Sequence, residues 1–447
     1  MDATARFGEV NLIADPLYHY IEITKGGNGE AGEQQLLDTP WLQRLRRIHQ
    51  LQSAWWVFPT AEHSRFAHLL GSMHLAAAFA RRIDASLRSE FPDAPSPACV
   101  EETLRLAGLL HDVGHGPFGH FFDQQVLSRY GLDHEDIGRH IVVEQLGDII
   151  ASLRAAPSGR FATGESVDPR WIAWVMAPAD IDGYTPPDWL RALKPLLCGP
   201  ATVDNLDYVP RDAYMCGVSV GAIDVARLTH YSFVSDGTIV LHAHAVGALQ
   251  MFLMARLYLY INIYFHRTVR RFDLSMREIF ADTIALLLPG NPLDHLAGYA
   301  TLTDWSLLET VGAWRNATVG TDERRLGDAW AQITSRRLPW RMAFEATVRD
   351  DVDVSGARNR IVAALPPALR DARFVVDVAS TTVVSQNPMA DDGMVAIYDP
   401  LLDRVEQSHA TELLARLPHY SQLVRVFGRD QDALTALHDA ARSALAA

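Results

Sequence analysis

Apolar residues recur at helical spacing along most of the chain, while strand-like alternation is confined to four short stretches. Tyr18 to Ile23 alternates and runs into the glycine-rich Lys25–Gly29, predicting a small hairpin or strand pair. Asp38-Thr39-Pro40 predicts a helix start, with Leu42, Leu45, Ile48 and His49 at helical spacing. Gln43, Arg44, Arg46, Arg47 and Gln50 then fall on a solvated face. A second helix is predicted through Arg65, His68, Leu69, Leu70 and Met73 to about Leu87. The proline-rich Phe91–Cys99 follows, then a helix with Glu101 and Glu102 in its first turn, where acid suits the helix dipole. Leu106, Leu109, Leu110 and Val113 bury one side of this helix. Gly114, Gly116, Pro117 and Gly119 end its regularity, and Asp133 is a candidate N-cap further on.

Ala155 to Asp168 reads as a polar loop, and Trp171 to Leu197 as helices broken at Pro186-Pro187. A hairpin is predicted around Ser235-Asp236-Gly237, one long helix over His244–Arg271, and helices over 275–350. Phe374–Val378 and Gly393–Tyr398 read as strands and Leu413–Ala446 as helix. The fold class expected is mainly α, with a smaller α+β C-terminal region. The division expected is an N-terminal strand segment 1–37, a helical core 38–275 and a packing or oligomerisation region 276–447.

Composition narrows the classes. Hydrophobic content of 48% and charged content of 21% are ordinary for a globular chain of 447 residues. The formal net charge of −14 argues against a nucleic-acid binder, which needs a broad basic surface, but allows a small anionic substrate. Three separated cysteines, Cys99, Cys198 and Cys216, suggest neither disulfides nor a zinc knuckle. No uninterrupted apolar run reaches membrane length, and Met1–Val10 has neither the basic flank nor the apolar core of a signal peptide, so no membrane partner and a cytoplasmic location are expected.

Candidate chemistry concentrates between Leu104 and Asp123, where an apolar helix ends in His111-Asp112, His115, His120 and Asp123. Asp204, Tyr208 and Asp212, spaced by four, form a helical stripe qualified by Pro210, and Asp207 and Arg211 form a second pair. His68, His111, Asp112 and Asp204 give two imidazoles and two carboxylates. That mixed set suits one divalent ion such as Mn²⁺, Fe²⁺, Mg²⁺, Ni²⁺ or Zn²⁺, with positions left for water and a phosphate oxygen. His115, His120 and His134 are placed to move protons, and Arg65 and Arg256 to hold phosphate.

The order His68, His111-Asp112, Asp204 resembles the HD-domain phosphohydrolases. Asp38–Arg46, Phe58-Pro59, His63–His68, His111–His120, His134-Glu135 and Asp207–Asp212 resemble the deoxynucleoside triphosphate triphosphohydrolase branch. The resemblance implies that His68, His111, Asp112 and Asp204 hold the metal. It implies His120 oriented by Asp123 as the catalytic dyad, with His115 and His134 beside it. Arg65 and Arg256 would contact phosphate, Gln50 and Asp212 the sugar 3′-hydroxyl, with Tyr208 alongside. Tyr264 would pack against C2′, and His266 and Arg267 complete that stretch. Asn205, also in the substrate set, stands where relatives carry a phosphate-binding lysine. Asp38, Gln43 and Arg46 match positions that recognise an activating nucleotide, although Asn11 and Ala14 depart from that pattern. The implied activity is hydrolysis of a dNTP to deoxynucleoside and triphosphate, with an additional Mg²⁺ accompanying the triphosphate and assembly as a tetramer or hexamer. The alternatives are another nucleotide or phosphoester as substrate, or a nucleotide sensor without turnover.

Overall fold

In the computed structural model, the described residues are 9–27, 29–176, 183–199, 201–348, 356–382, 395–408 and 420–445. The early alternation becomes an antiparallel pair, β1 (Val10–Asp15) and β2 (His19–Thr24), with Asp15 facing His19 at the turn. Ile21 and Ile23 are buried while Tyr20 between them is exposed, the period of two expected of a strand with one face covered.

The chain divides into two units. The first comprises Met1–Ala255, Gly290–Leu307 and Val384–Arg416, and the second Arg256–Pro289, Leu308–Val383 and Leu417–Ala447. The first unit is built on two helices, α1 (Arg65–Glu90) and α2 (Pro97–Leu110). Phe66, Leu69, Leu70, Met73, Phe79, Ile83 and Leu87 line the buried faces of α1, and every residue of α2 from Ala98 to Leu110 is buried. Around them lie α3 (His120–Gln125), α4 (His134–His140) and α5 (Val203–Cys216). Asp133 caps α4 as expected, its carboxylate accepting from the Asp136 amide. Pro210 sits inside α5 without ending it, at the loss of one backbone donor. The predicted hairpin is present as Ser232–Ser235 and Thr238–His242, and Val395–Asp399 extends that sheet in parallel.

The second unit contains an antiparallel sheet in which Tyr420–Gly428 is the central strand between Phe374–Thr382 and Arg341–Val348. Leu437, Ala440 and Ala441 of the helix Leu434–Leu445 join Ile361, Phe374 and Val426 in its core. The chain is thus mainly α, as expected.

Several expectations are corrected. Arg341–Val348 is a strand rather than helix, as is Tyr420–Gly428, while 409–419 lies outside the described residues. The helix after Asp38 is only Pro40–Gln43 followed by a tight turn, and Arg44, assigned to a solvated face, is fully buried. The helix expected over His244–Arg271 breaks at Phe265–His266: the His266 ring accepts from the Thr268 amide and starts a new helix at Arg267. Ala243–Tyr264 is long and apolar enough for a membrane span by length and composition alone. Gln250, Arg256 and Asn262 interrupt its apolar pattern, and 56% of its most apolar window is buried, as in a core helix. Gly290–Leu307, placed by sequence in the C-terminal region, belongs to the first unit. It is held there because Tyr299 donates to the Gly114 carbonyl at 2.6 Å and Asp304 accepts from Phe118 N at 2.7 Å.

Glu101 and Glu102 also depart from expectation, since α2 starts at Pro97 and puts both a turn deeper, where they are buried. Glu101 pairs with Arg81 at 2.8 Å, and Glu33 takes Arg105 at 2.6 Å. Among the described residues Glu102 keeps neither oxygen in a hydrogen bond, with Arg105 3.9 Å away. Burial, then the nearby Glu33 charge, raise its carboxyl well above the usual range. A carboxyl with a raised folded-state pKa contributes most below its unfolded value near 4.5, and that contribution is lost as pH rises toward the folded value. Glu102→Gln mimics the protonated form. Its urea midpoint is expected to match wild type near pH 5 and to exceed it by pH 8; parallel pH profiles would refute this placement of the charge.

Candidate metal and phosphate site

α1 begins at Arg65 after the Ser64 N-cap, so Arg65 and His68 lie in its first turn on one face. The α2 helix stops at Leu110, which puts His111 and Asp112 in the turn after the helix rather than on it. Asp204 comes from the first turn of α5. These three elements bring the predicted ligands together. His68 Nε2 lies 3.0 Å from Asp204 Oδ1 and 3.4 Å from His111 Nε2, and His111 Nε2 lies 3.4 Å from the same Asp204 oxygen. Asp112 Oδ1 is 3.6 Å from His111 Nε2.

The other nitrogen of each ring is taken. His68 Nδ1 donates to Asp207 Oδ2 at 2.8 Å and His111 Nδ1 to the Gly108 carbonyl at 3.0 Å. Both acceptors lack a proton to give, so both Nδ1 atoms carry hydrogen and both Nε2 lone pairs face one another. Two lone pairs at 3.4 Å beside a carboxylate require a cation between them. Without a metal, protons serve. Burial opposes charge on His68, but hydrogen bonds to Asp204 and Asp207 outweigh it and push its pKa up to about 10. His111 is raised too: burial opposes this, and Asp112 and Asp204 overcome it. Asp204 stays ionised against its burial because His111 and His68 face it. The donor set therefore fits a divalent ion.

Asp207 is the anchor behind this cluster. It accepts from Arg211 Nε at 2.8 Å and Nη2 at 2.9 Å, and from Tyr18 Oη at 2.8 Å. Arg211 in turn donates to Asp15 at 2.8 Å, tying the β1–β2 turn through Asp207 to His68. Gly71 makes room, for a Cβ there would meet Asp207 Oδ1 at 1.9 Å.

A second group lies across Asp112. His134 Nδ1 donates to Asp123 Oδ2 at 2.8 Å, and His120 Nδ1 is 3.2 Å from the same oxygen. His115 is fully buried, while the His120 side chain is 56% exposed. Burial, then Arg65 and His134, hold His115 well below its ordinary pKa, so it is neutral. Burial resists ionisation of Asp112, yet Arg65, His111 and His115 keep its carboxyl well below the usual range. Arg65 donates to Asp112 Oδ2, and its buried Nε has no hydrogen-bond partner among the described residues. Gly119, at φ 54°, admits this guanidinium, since a Cβ would meet it at 2.3 Å.

Of the other predicted residues, Tyr208 turns its ring edge toward His68, with centroids 6.4 Å apart. Asn205 and Asp212 are buried on α5, with Asp212 accepting from His63 Nε2 at 2.8 Å. Gln50 is half-buried, and its Oε1 has no hydrogen-bond partner among the described residues. Asp38 and Arg46 are exposed, with Arg46 Nε donating to Gln43 Oε1 at 2.9 Å. Arg256, Tyr264, His266 and Arg267 belong to the second unit, where Tyr264 meets Tyr260 edge to face at 4.9 Å.

Sequence reasoning missed the residues that hold the turn after His111. Buried Arg44 donates to the His115 carbonyl at 2.8 Å and to the Leu302 carbonyl at 3.0 Å, and Asp304 accepts from both the His49 amide and its Nδ1. Nothing local marked Arg44, which stands between Gln43 and Leu45-Arg46-Arg47 like a surface arginine.

Comparison with known proteins agrees with this geometry. Residues 65–166 match the family model described as HD domain. The chain is 30% identical over 278 residues to the uncharacterized protein YwfO of Bacillus subtilis, covering 61% of this chain and 56% of that protein. It is 27% identical over 294 residues to the deoxynucleoside triphosphate triphosphohydrolase SAMHD1 homolog of Dictyostelium discoideum, covering 62% and 51%. Over 126 residues it is 40% identical to the SAMHD1 enzyme of Gallus gallus, covering 28% of this chain and 19% of that one. The chain thus spans about half the length of the first two relatives. A hypothetical protein from Aquifex aeolicus has the same fold, with a TM-score of 0.71 at 22% identity, covering 96% of this chain and 99% of that one. A phosphohydrolase from Bacteroides thetaiotaomicron gives 0.68 at 20%, covering 95% and 100%. The HD-domain match and the donor set agree with a metal-dependent hydrolase. Residues 65–166 thus carry an HD domain, and SAMHD1-type enzymes are among the proteins the chain is similar to.

Carboxylates behind metal-binding histidines typically contribute about 10–100-fold in metal affinity. Asp207→Asn is therefore expected to weaken Mn²⁺ binding by about that factor in competition with a chelating dye, with helical content retained. Unchanged affinity would remove Asp207 from the metal centre.

Proposed function

We propose that the protein hydrolyses deoxynucleoside triphosphates to deoxynucleoside and inorganic triphosphate. The convergence of His68 Nε2 and His111 Nε2 at 3.4 Å, with both Nδ1 atoms already engaged, carries the chemical half of this reading. The motifs shared with the SAMHD1-type enzymes support the substrate half. A divalent ion on His68, His111, Asp112 and Asp204 supplies Lewis-acid stabilisation of phosphoryl charge and a water of lowered pKa.

The chain's own groups do the rest. Arg65 offers a phosphate oxygen its unused Nε, and Gln50 Oε1 is free to accept from a sugar hydroxyl. Asp212 and Tyr208 would flank that hydroxyl. Water adds to the α-phosphorus, the bond from phosphorus to O5′ breaks, and His120 delivers a proton to O5′. Asp123 orients His120, and His115 and His134 stand beside them. The products are then a neutral 5′-hydroxyl and triphosphate. The same reading includes a cytoplasmic location, a nucleotide activator at Asp38, Gln43 and Arg46, and a homo-oligomer.

Asn205, in place of a lysine, favours testing a second reading in which another nucleotide or phosphoester is the substrate. Each of the four dNTPs, with and without GTP, is to be incubated with the Mn²⁺-loaded protein and the products separated by chromatography. Equal amounts of deoxynucleoside and triphosphate are expected; nucleoside monophosphate with pyrophosphate would overturn the bond assigned. His120→Asn is expected to lower kcat by about 10²–10⁴-fold with metal content unchanged.

A further inference from the structure

Phe118 holds a left-handed backbone, at φ 62°, that a bulky side chain seldom adopts. The other non-glycine residues at positive φ among the described residues are His19, Gln52, Asp236, Arg336 and Asp403. All of these are polar, whereas Phe118 is apolar and fully buried. Gly119 follows at φ 54°, so two consecutive residues turn against the usual hand just before α3 begins at His120. Such a backbone persists only where its surroundings over-determine it, and it gathers at working sites.

The group that holds it comes from far along the chain. Asp304 is fully buried, in the Gly290–Leu307 segment of the first unit. Its Oδ1 accepts from Phe118 N at 2.7 Å, and its Oδ2 accepts from His49 N at 2.8 Å and His49 Nδ1 at 2.9 Å. Three N–H donors thus converge on one side chain, which a carboxylate satisfies because both its oxygens accept. His49 is braced in turn. Its Nε2 lies 3.1 Å from Glu62 Oε2, and its ring stacks on Trp55 at 4.5 Å with planes 8° apart. Trp55 meets Trp56 at 4.9 Å, and Trp56 meets the Phe118 ring at 5.6 Å. His49 therefore reaches Phe118 twice, through Asp304 to its amide and through two tryptophans to its ring.

This clamp controls the start of α3. The Phe118 carbonyl accepts from Phe121 N at 3.1 Å and the Gly119 carbonyl from Phe122 N at 2.9 Å, so the direction of the first helical turn follows from these two peptides. That turn carries His120 and Asp123, with His120 Nδ1 3.2 Å from Asp123 Oδ2. We propose that Asp304 is a positioning residue for His120, keeping the Phe118–Gly119 turn in its strained form so that the imidazole meets the departing oxygen at a fixed angle. The proposal rests on the reading of His120 as proton donor. Asp304 acts through the backbone, while the aim of His68 and His111 is set elsewhere, by Asp207 and the Gly108 carbonyl.

Asp304→Asn tests this, because an amide offers one acceptor oxygen to three donors and, whichever way it turns, its NH₂ faces an N–H. A catalytic group displaced by about 1 Å costs on the order of 10²-fold in rate. In the Mn²⁺-loaded full chain, kcat for a dNTP is therefore expected to fall about 10²-fold, with KM, Mn²⁺ affinity and helical content unchanged. His49→Phe, which keeps a ring on Trp55 and withdraws one donor, is expected to lose less in the same direction, and the same measurements on it decide the matter if Asp304→Asn does not fold. Combined with His120→Asn, either variant is expected to cost no more than His120→Asn alone, since both act on one proton transfer.

Hydrogen exchange followed by mass spectrometry gives a readout that needs no substrate. The amides of Phe118–Phe122 are expected to exchange faster in Asp304→Asn than in wild type, with those of α1 unchanged. Losses that multiply in the double variant, or exchange at Phe118–Phe122 that keeps its wild-type rate, overturn the proposal. Faster exchange there in a chain that releases no triphosphate from any dNTP would leave the clamp standing and remove the substrate reading; triphosphate release with exchange unchanged by the substitution would do the reverse.

Discussion

Two imidazole nitrogens facing each other across 3.4 Å are the constraint on which the rest of the first unit depends. Neutral rings in that position repel, and both are locked there by their opposite edges, on Asp207 and on the Gly108 carbonyl. Positive charge has to occupy the gap. Nearly every polar group nearby can be understood as either lending negative charge to that point or preventing the rings from turning away.

The network that prevents the turn is costly. Asp207 and Arg211 are both buried, and a buried ion pair recovers its desolvation cost only when every donor and acceptor is used. Here the Asp207 oxygens take Tyr18, His68 and two nitrogens of Arg211, and Asp15 takes a third. A hydrophobic replacement of similar size would be expected to hold the fold as well. The pair is therefore better understood as positioning His68 than as stabilising the helices, and the N-terminal strand pair is joined to the candidate metal centre through Tyr18 and Asp15.

The ligand set was legible in the sequence because its chemistry is carried by residue type: two histidines and two aspartates in order, near an apolar helix that ends in glycines. The turn on which His111 and Asp112 sit was not. Its supports, Arg44, Tyr299 and Asp304, are single residues far away in sequence, and nothing local distinguishes them from surface residues. Glu101 and Glu102 misled for a related reason, since acid near a helix start suits the dipole whether or not the helix has begun a turn earlier. The strand Tyr420–Gly428 was read as helix because Leu423 through Phe427 is buried on both faces. Flanked by a strand on each side, it is apolar but for the buried Arg425 and shows no period of two.

The distance in sequence between the turn and its supports also sets an order of events. The segment that carries the HD signature, 65–166, leaves the ribosome well before residues 299–304 are made. Until those residues arrive, the Gly114 carbonyl and the Phe118 amide lack the partners they have in the folded chain. The nascent protein therefore holds its metal ligands before it holds the turn that aims them, and an early ion would meet a loosely shaped cluster. Closure of the site is a late step of synthesis, and a chain cut short before Tyr299 keeps the signature but not the rigid hollow.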